Sequence, residues 1–211
     1  MNTVIVTGGN INEEFIKDFF SNNKFNTIIA VDKGLEILNK LKIDPDFIIG
    51  DFDSLNESVL KEYNNKNTIE LEKEKDFTDT HMALKLAIEK QSTNITIIGA
   101  IGTRIDHTLA NVHILKEALN NNIKAKLVDE NNEITLINKT TTIKKNNSFK
   151  YVSIIPLTTE ITGITLKGFK YLLEDATLKI GQSIGISNEQ LEEQATIKIQ
   201  KGIAILFFSK D

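Results

Sequence analysis

The feature that most constrains the fold is a rhythm in the first 130 residues. Short, continuous apolar runs alternate with stretches whose apolar residues recur at helical spacing. Val4-Ile5-Val6 leads into Phe15, Ile16, Phe19 and Phe20. Thr27-Ile28-Ile29-Ala30-Val31 leads into Leu35, Leu38 and Leu41. Phe47-Ile48-Ile49 leads into Val59, Leu60 and Tyr63, and the weaker run Thr68-Ile69-Glu70-Leu71 into Met82, Ala83, Leu86, Ala87 and Ile88. Asn94-Ile95-Thr96-Ile97-Ile98 leads into Leu109, Val112, Leu115 and Leu119, and Ala125-Lys126-Leu127-Val128 closes the series. Strands alternating with helices at this interval build βαβ units and a parallel sheet. The runs are continuous rather than alternating, as expected of strands covered by helices on both faces.

The rhythm stops near Asp129-Glu130-Asn131-Asn132-Glu133. Beyond it the chain carries strand-like pieces and no amphipathic helix: Ile134–Ile137, Tyr151–Leu157, Ile161–Leu166, Thr177–Ile180 and Ala195–Gln200. The last alternates Ala195, Ile197 and Ile199, turns at Lys201-Gly202 and returns through Ile203–Phe208, which predicts a hairpin. Asn120-Asn121-Asn122 reads as a helix end and Lys144-Lys145-Asn146-Asn147 as a solvated turn. The expected organisation is an α/β domain over residues 1–130 and a small all-β domain over 131–211.

A chain of 211 residues is long enough for this division and for a substantial core. The net charge of -4 argues against general nucleic-acid binding, which calls for a basic surface. The absence of cysteine excludes disulfides and thiolate metal sites. No apolar run is long enough to span a bilayer, and Met1-Asn2-Thr3-Val4-Ile5-Val6 lacks the basic and long apolar segments of a signal peptide. No membrane association is expected, and the cytoplasm is the expected location.

A parallel sheet sends the carboxyl ends of all its strands to one edge, where such sheets present their chemistry. Asp32 follows the second strand, Asp51 and Asp53 the third, Asp76 and Asp79 the fourth, Arg104 and Asp106 the fifth. The third strand ends in Gly50-Asp51-Phe52-Asp53-Ser54, an Asp-x-Asp pair at a strand tip. Crowded carboxylates repel unless a cation lies among them. Oxygen donors with no sulfur suit Mg²⁺ shared with substrate phosphates, and a guanidinium at the same rim suits phosphate oxygens. Each residue has a plainer role open to it. Asp79 and Asp106 could cap helices, Asp32 could be a turn residue, and Arg104 a solvated charge.

The histidines carry less. His107 and His113 lie six apart on one helix and project to different faces, and His81 lies in a helix's first turn. All three have structural readings, with His107 at the rim the exception to watch. Thr7-Gly8-Gly9-Asn10 is too sparse for a dinucleotide fingerprint and no P-loop is present, so phosphate binding has to rest on loop amides, helix N-termini, metal and arginine.

Three segments together resemble the thiamine pyrophosphokinase family: Gly50-Asp51-Phe52-Asp53-Ser54, then Asp76-Phe77-Thr78-Asp79, then the run from Gly99 through Arg104-Ile105-Asp106-His107-Thr108-Leu109-Ala110 to Asn111. The resemblance runs from about Asp32 to Asn188. It implies a Rossmann-like α/β nucleotide-binding domain, an antiparallel β-sandwich that binds thiamine and dimerises, and a homodimer with its active sites between subunits. It also implies transfer of the pyrophosphoryl group of ATP to the hydroxyl of thiamine, with Mg²⁺ as cofactor. On that resemblance, Asp51, Asp53 and Asp79 match metal ligands, and Asp51, Asp79, Arg104 and Asp106 catalytic positions. Asp32, Gly34, Asp53, Asp76, Thr78, Arg104 and His107 fall at the nucleotide, and Ser187 and Asn188 at thiamine.

The chain departs from the family pattern twice. Val31-Asp32-Lys33-Gly34 stands where A-D-G-G is usual, and Gly102-Thr103-Arg104 where G-G-R is usual. Each departure loses a glycine where a loop can approach a phosphate closely. Two other readings remain at this stage. One is an Asp-x-Asp phosphatase forming an aspartyl phosphate on Asp51. The other is a non-catalytic protein that binds nucleotide or thiamine diphosphate.

Overall fold

The structure is a computed structural model and describes residues 1–53, 55, 57–63, 66–72 and 76–211. Ser54, the last residue of the Gly-Asp-Phe-Asp-Ser segment, lies outside the described residues. By its internal contacts the chain divides into Met1–Glu130 and Asn131–Asp211.

The first unit alternates strand and helix throughout. Its strands are β1 (Asn2–Val6), β2 (Thr27–Val31), β3 (Phe47–Gly50), β4 (Asn67–Glu70), β5 (Asn94–Ile98) and β6 (Lys124–Val128). Its helices are α1 (Glu13–Asn22), α2 (Gly34–Lys40), α3 (Glu57–Glu62), α4 (Asp79–Glu89) and α5 (Ile105–Asn120). Every strand pair is parallel, in the order β4-β3-β2-β1-β5-β6.

Burial explains why the apolar runs are continuous. Val4, Ile5 and Val6 are all fully buried, as are Ile29 and Ala30, so successive side chains on both faces of the sheet are covered. Val4, Val6, Ala30, Ile48 and Ile98 share one core with Ile16 of α1 and with Leu35 and Leu38 of α2. The residues between them point the other way. That face is covered by α4, which packs on β1, β2 and β3, and by α5, which packs on β6 and α4.

The strand order has one functional consequence. The chain winds outward from β1 to β4, then crosses back to place β5 on the other side of β1. The loops after β1 and β5 therefore leave in opposite directions, and a crevice opens between them at the strands' carboxyl ends. In open α/β sheets this reversal is where ligands bind.

The second unit is two antiparallel sheets. One runs β7 (Asn132–Ile137), β13 (Ala204–Ser209), β9 (Tyr151–Pro156). The other runs β11 (Ala176–Lys179), β10 (Glu160–Lys167), β12 (Gln194–Lys198), β8 (Thr141–Lys144). Their inner faces meet in one core containing Ile154, Ile161, Ile164, Leu178, Ile197 and Leu206, which is a small sandwich.

Two expectations fail here. The hairpin predicted from Ala195 to Phe208 does not form. β12 pairs with β10 and β8, and β13 with β7 and β9, so the turn at Lys201-Gly202 carries the chain from one sheet to the other. Lys201 is instead bridged to Thr162, and Gly202 adopts φ +100°. The alternation that predicted pairing reflects two inward faces across the core, which share the same period. In addition, β8 escaped notice because Ile143 is its only buried residue, too little for a periodic signal. Lys144, expected in a turn, ends that strand.

Candidate active site

The crevice between β1 and β5 holds a cavity of about 460 Å³. Four loops line it, each following a different strand. Thr7, Gly8, Gly9 and Asn10 come after β1, Asp32 and Lys33 after β2, Thr78 and Asp79 at the start of α4, and Gly99, Ala100, Gly102, Thr103 and Arg104 after β5, with His107, Thr108 and Asn111 on α5. Of the predicted site residues it gathers Asp32, Thr78, Asp79, Arg104 and His107.

Asp32 is held there by its backbone. It sits at φ +46°, a conformation that non-glycine residues rarely adopt and that recurs at functional sites. Its amide donates to the Ile49 carbonyl at 3.0 Å, and its own carbonyl accepts from Leu35 at the start of α2. Its carboxylate lies over the end of β3. A Cβ added to Gly50 would stand 2.0 Å from Asp32 Oδ1. The glycine that ends the Ile48-Ile49-Gly50 run therefore makes room for the carboxylate of the neighbouring loop. Gly34 is buried at the start of α2 and does not line the cavity.

Asp79 is the first residue of α4, but Thr78 is its cap: Thr78 Oγ1 accepts from the His81 amide at 3.2 Å. The capping role open to Asp79 is thus taken by its neighbour, and Asp79 lines the cavity. Likewise Asp106 does not cap α5, whose N-cap is Arg104 with no side-chain capping bond.

Arg104 and Asp106 form an exposed fork, Nη2 to Oδ2 at 2.6 Å and Nε to Oδ1 at 3.3 Å. The Arg104 hydrogen bond is the main cause that holds the Asp106 carboxyl below its ordinary value, and Asp106 in turn raises Arg104. The loop before them is pinned to α5. Asn111 Nδ2, buried, donates to the Ala100 carbonyl at 2.8 Å, and the Gly102 amide donates to Thr108 Oγ1 at 3.1 Å.

Asp51, Asp53, Asp76 and Asp106 do not line this cavity. Asp51 Oδ1 accepts from the Asp53 amide at 3.2 Å, closing a tight turn around Phe52 at φ +59°. Among the described residues no three carboxylate or imidazole side chains converge closely enough to hold a metal ion. The donor chemistry nonetheless fits Mg²⁺, which typically takes one or two carboxylates and completes its octahedron with water and substrate phosphates rather than with an all-protein cage.

In the second unit, Ser187 is exposed at φ +56° and its amide donates to Ser153 Oγ at 2.9 Å. Asn188 is buried, and its amide is spent on the chain. Its Oδ1 accepts from the Tyr171 and Glu189 amides, and its Nδ2 donates to the Tyr171 carbonyl at 2.7 Å. Asn188 thereby fixes the turn that presents Ser187. Tyr171, Leu172, Ile184 and Ile186 stand exposed on the same two segments.

His81 has the structural role expected of it. Its Nε2 lies 2.6 Å from Glu117 Oε2 on α5, and its ring meets Phe77 edge-on. The sequence reading missed two contributors to the cavity: the Thr7–Asn10 loop, set aside as too sparse, and Lys33. Only the strand order reveals them, because it alone places the β1 loop beside the β5 loop.

Two family profiles cover most of the chain. "Thiamin pyrophosphokinase, catalytic domain" matches residues 20–127, and "Thiamin pyrophosphokinase, vitamin B1 binding domain" matches residues 140–204. The chain belongs to the thiamin pyrophosphokinase family. It is 36% identical over 211 residues to thiamine pyrophosphokinase of Bacillus subtilis strain 168, covering 98% of each chain. The crystal structure of thiamine pyrophosphokinase from Bacillus subtilis superposes with a TM-score of 0.91 at 34% identity, covering all of both chains. That of thiamin pyrophosphokinase from Geobacillus thermodenitrificans gives 0.88 at 31% identity, covering 100% of this chain and 98% of the other. As a member of this enzyme family, the chain is a kinase acting on thiamine, and the phosphatase reading is not favoured.

Proposed function

We propose that the enzyme transfers the pyrophosphoryl group of ATP to the hydroxyl of thiamine, giving thiamine diphosphate and AMP. The observation that carries this reading is the switch-point cavity. It combines Lys33, Arg104 and His107 with Asp32 and Asp79, so two basic groups and an imidazole for a phosphate chain line the same cavity as carboxylates for a metal. In the reaction the thiamine hydroxyl oxygen attacks the β-phosphorus of ATP. The bond from that phosphorus to the α–β bridging oxygen breaks, and AMP leaves with the oxygen.

Such a transfer depends on positioning and on charge neutralisation. Arg104, fixed at the head of α5 by the pinned 99–104 loop, faces the phosphate chain and exchanges its Asp106 partner for phosphate oxygens. The hydroxyl proton passes to a rim carboxylate. Asp79, which lines the cavity, and Asp106, which Arg104 releases as it takes the phosphate chain, are the two rim carboxylates that can accept it. Mg²⁺ held by Asp51, Asp53 and Asp79 would neutralise charge developing on the phosphoryl oxygens. In this reading Asp32, Gly34, Thr78 and His107 shape the nucleotide site.

Thiamine is assigned to the exposed turn at Ser187, whose apolar neighbours Tyr171, Leu172, Ile184 and Ile186 also suit a second copy of the chain, as a homodimer requires. Among the described residues no helix is long and apolar enough to cross a membrane. The proposed location is the cytoplasm.

The test is direct. The protein is incubated with ATP, Mg²⁺ and thiamine, and the products are separated. AMP and thiamine diphosphate in equal amounts are expected, and ADP in place of AMP overturns the assignment.

A further inference from the structure

Of the four residues Asp76-Phe77-Thr78-Asp79, the proposed site uses three and leaves Phe77 aside. Phe77 does not line the cavity, although Thr78, Asp79 and Thr80 after it do. Burial does not account for its position, since the residue is 41% exposed. Its ring is held instead by two polar side chains of α4. It meets His81 edge-on, with ring centroids 4.8 Å apart and the planes at 78°, and Lys85 Nζ lies over it, 4.2 Å from the centroid. Both contacts depend on an aromatic ring, the second on its electron-rich face.

The two holders are themselves anchored. Glu117 of α5 sets its Oε2 2.6 Å from His81 Nε2 and its Oε1 3.9 Å from Lys85 Nζ. One carboxylate thus steadies both groups that grip Phe77. Its helix is the one that bears Arg104 at its head and brings His107, Thr108 and Asn111 to the cavity. The cluster therefore ties the residue just before Thr78 to the helix that carries the arginine.

Its place along the chain gives the cluster its effect. Thr78 is the N-cap of α4, with extended backbone, its Oγ1 accepting from the His81 amide and its carbonyl accepting from the Met82 amide at 3.0 Å. Phe77 stands immediately before that cap. An apolar residue there, packed back on the first turns of the helix, fixes the angle at which the chain enters. We propose that Phe77 is a positioning residue: held by His81, Lys85 and Glu117, it fixes the entry of the chain into α4 and so the placement of Thr78 and Asp79 in the cavity. This rests on the pyrophosphokinase reading for the identity of the ligand, a nucleoside triphosphate with Mg²⁺. Without the grip on Phe77 the segment samples other entries, and the apparent affinity falls with the fraction of molecules in the competent one.

The test is calorimetric binding of α,β-methylene-ATP with Mg²⁺, alongside the KM for thiamine and the unfolding midpoint. It compares wild type with Phe77→Ala, Phe77→Tyr, Lys85→Ala and the double variant Phe77→Ala with Lys85→Ala. A ring contact and a cation–π pair together are worth about a factor of ten, and the cation–π pair alone about a factor of three. The dissociation constant is expected to rise by those factors in Phe77→Ala and Lys85→Ala, although neither residue lines the cavity. Phe77→Tyr keeps the ring and binds as wild type, the double variant loses no more than Phe77→Ala, and the KM for thiamine stays unchanged. A lowered unfolding midpoint with unchanged nucleotide binding makes the cluster a prop for the fold alone and overturns the proposal. So does an equal loss in Phe77→Tyr, or additive losses in the double variant, which assign Lys85 an effect of charge rather than of the ring. Lys85→Ala places a good helix former on a partly exposed surface, so the test stands even where Phe77→Ala fails to fold. A wild-type protein that shows these binding sensitivities but forms no thiamine diphosphate sinks the pyrophosphokinase reading and leaves the positioning role established.

Discussion

Gly50 and Asp32 show how a single missing side chain organises a site. The end of β3 carries no Cβ, and the neighbouring loop lays its carboxylate into that space. The Asp-x-Asp pair begins at the next residue, Asp51. If Asp51 holds the metal, Asp51→Asn abolishes turnover at ordinary Mg²⁺ while the unfolding midpoint stays within about 0.5 kcal/mol of wild type; near-normal kcat shows the metal is held elsewhere. Arg104 and Asp106 supply a pH prediction. The folded-state pKa of Asp106 is depressed, chiefly by the Arg104 hydrogen bond. The stabilisation it contributes is present above the ordinary carboxylate value and is lost as pH falls through the lowered one. A carboxyl NMR titration places the Asp106 midpoint below the ordinary value of about 3.9, and Arg104→Met returns it upward.

At the scale of elements, the β5–α5 connection is the part most dependent on buried polar contacts. Asn111 is buried, and its bond to the Ala100 carbonyl fixes the loop that presents Arg104. Replacing it with Ala leaves that carbonyl without this donor, at a cost of about 1–3 kcal/mol. Urea unfolding of Asn111→Ala measures it, and kcat falls with stability because the loop loses its anchor. The elements themselves were legible from the residues. All six strands of the first unit lie within a residue or two of their apolar runs, because strands buried on both faces leave an uninterrupted signature. Of the acids expected at their ends, Asp32 and Asp79 line the cavity, while Asp51, Asp53, Asp76 and Asp106 do not. What the residues did not disclose was adjacency. Thr7–Asn10 and Lys33 line the cavity only because β1 lies between β2 and β5, and strand order leaves no local mark. The pairing of β12 and β13 was misread on the same ground, since facing strands of a sandwich alternate like the strands of a hairpin.

At the scale of the whole molecule, the exposed apolar side chains of the second unit bear on assembly. Leu172 and Ile184 are 67% and 66% exposed near the turn assigned to thiamine. Isolated surface leucines are ordinary, but four large apolar residues on two adjoining segments suit the second copy of the chain proposed above. Light scattering is expected to give twice the 23.7 kDa chain mass. Leu172→Glu with Ile184→Glu is expected to halve that mass and to raise the KM for thiamine more than that for ATP. A wild-type mass of one chain removes the homodimer.

The placement of β13 also sets an order of events during synthesis. It is the last strand of the second unit, yet it lies between β7 and β9 and pairs with both. Within the second unit those two strands are joined only through β13, and its pairings reach back across most of the unit. Such long-range pairing is slow to form. A nascent chain can therefore complete the parallel sheet of its first unit while still attached to the ribosome. The second unit stays open until its final strand has emerged, and with it the surface assigned to thiamine.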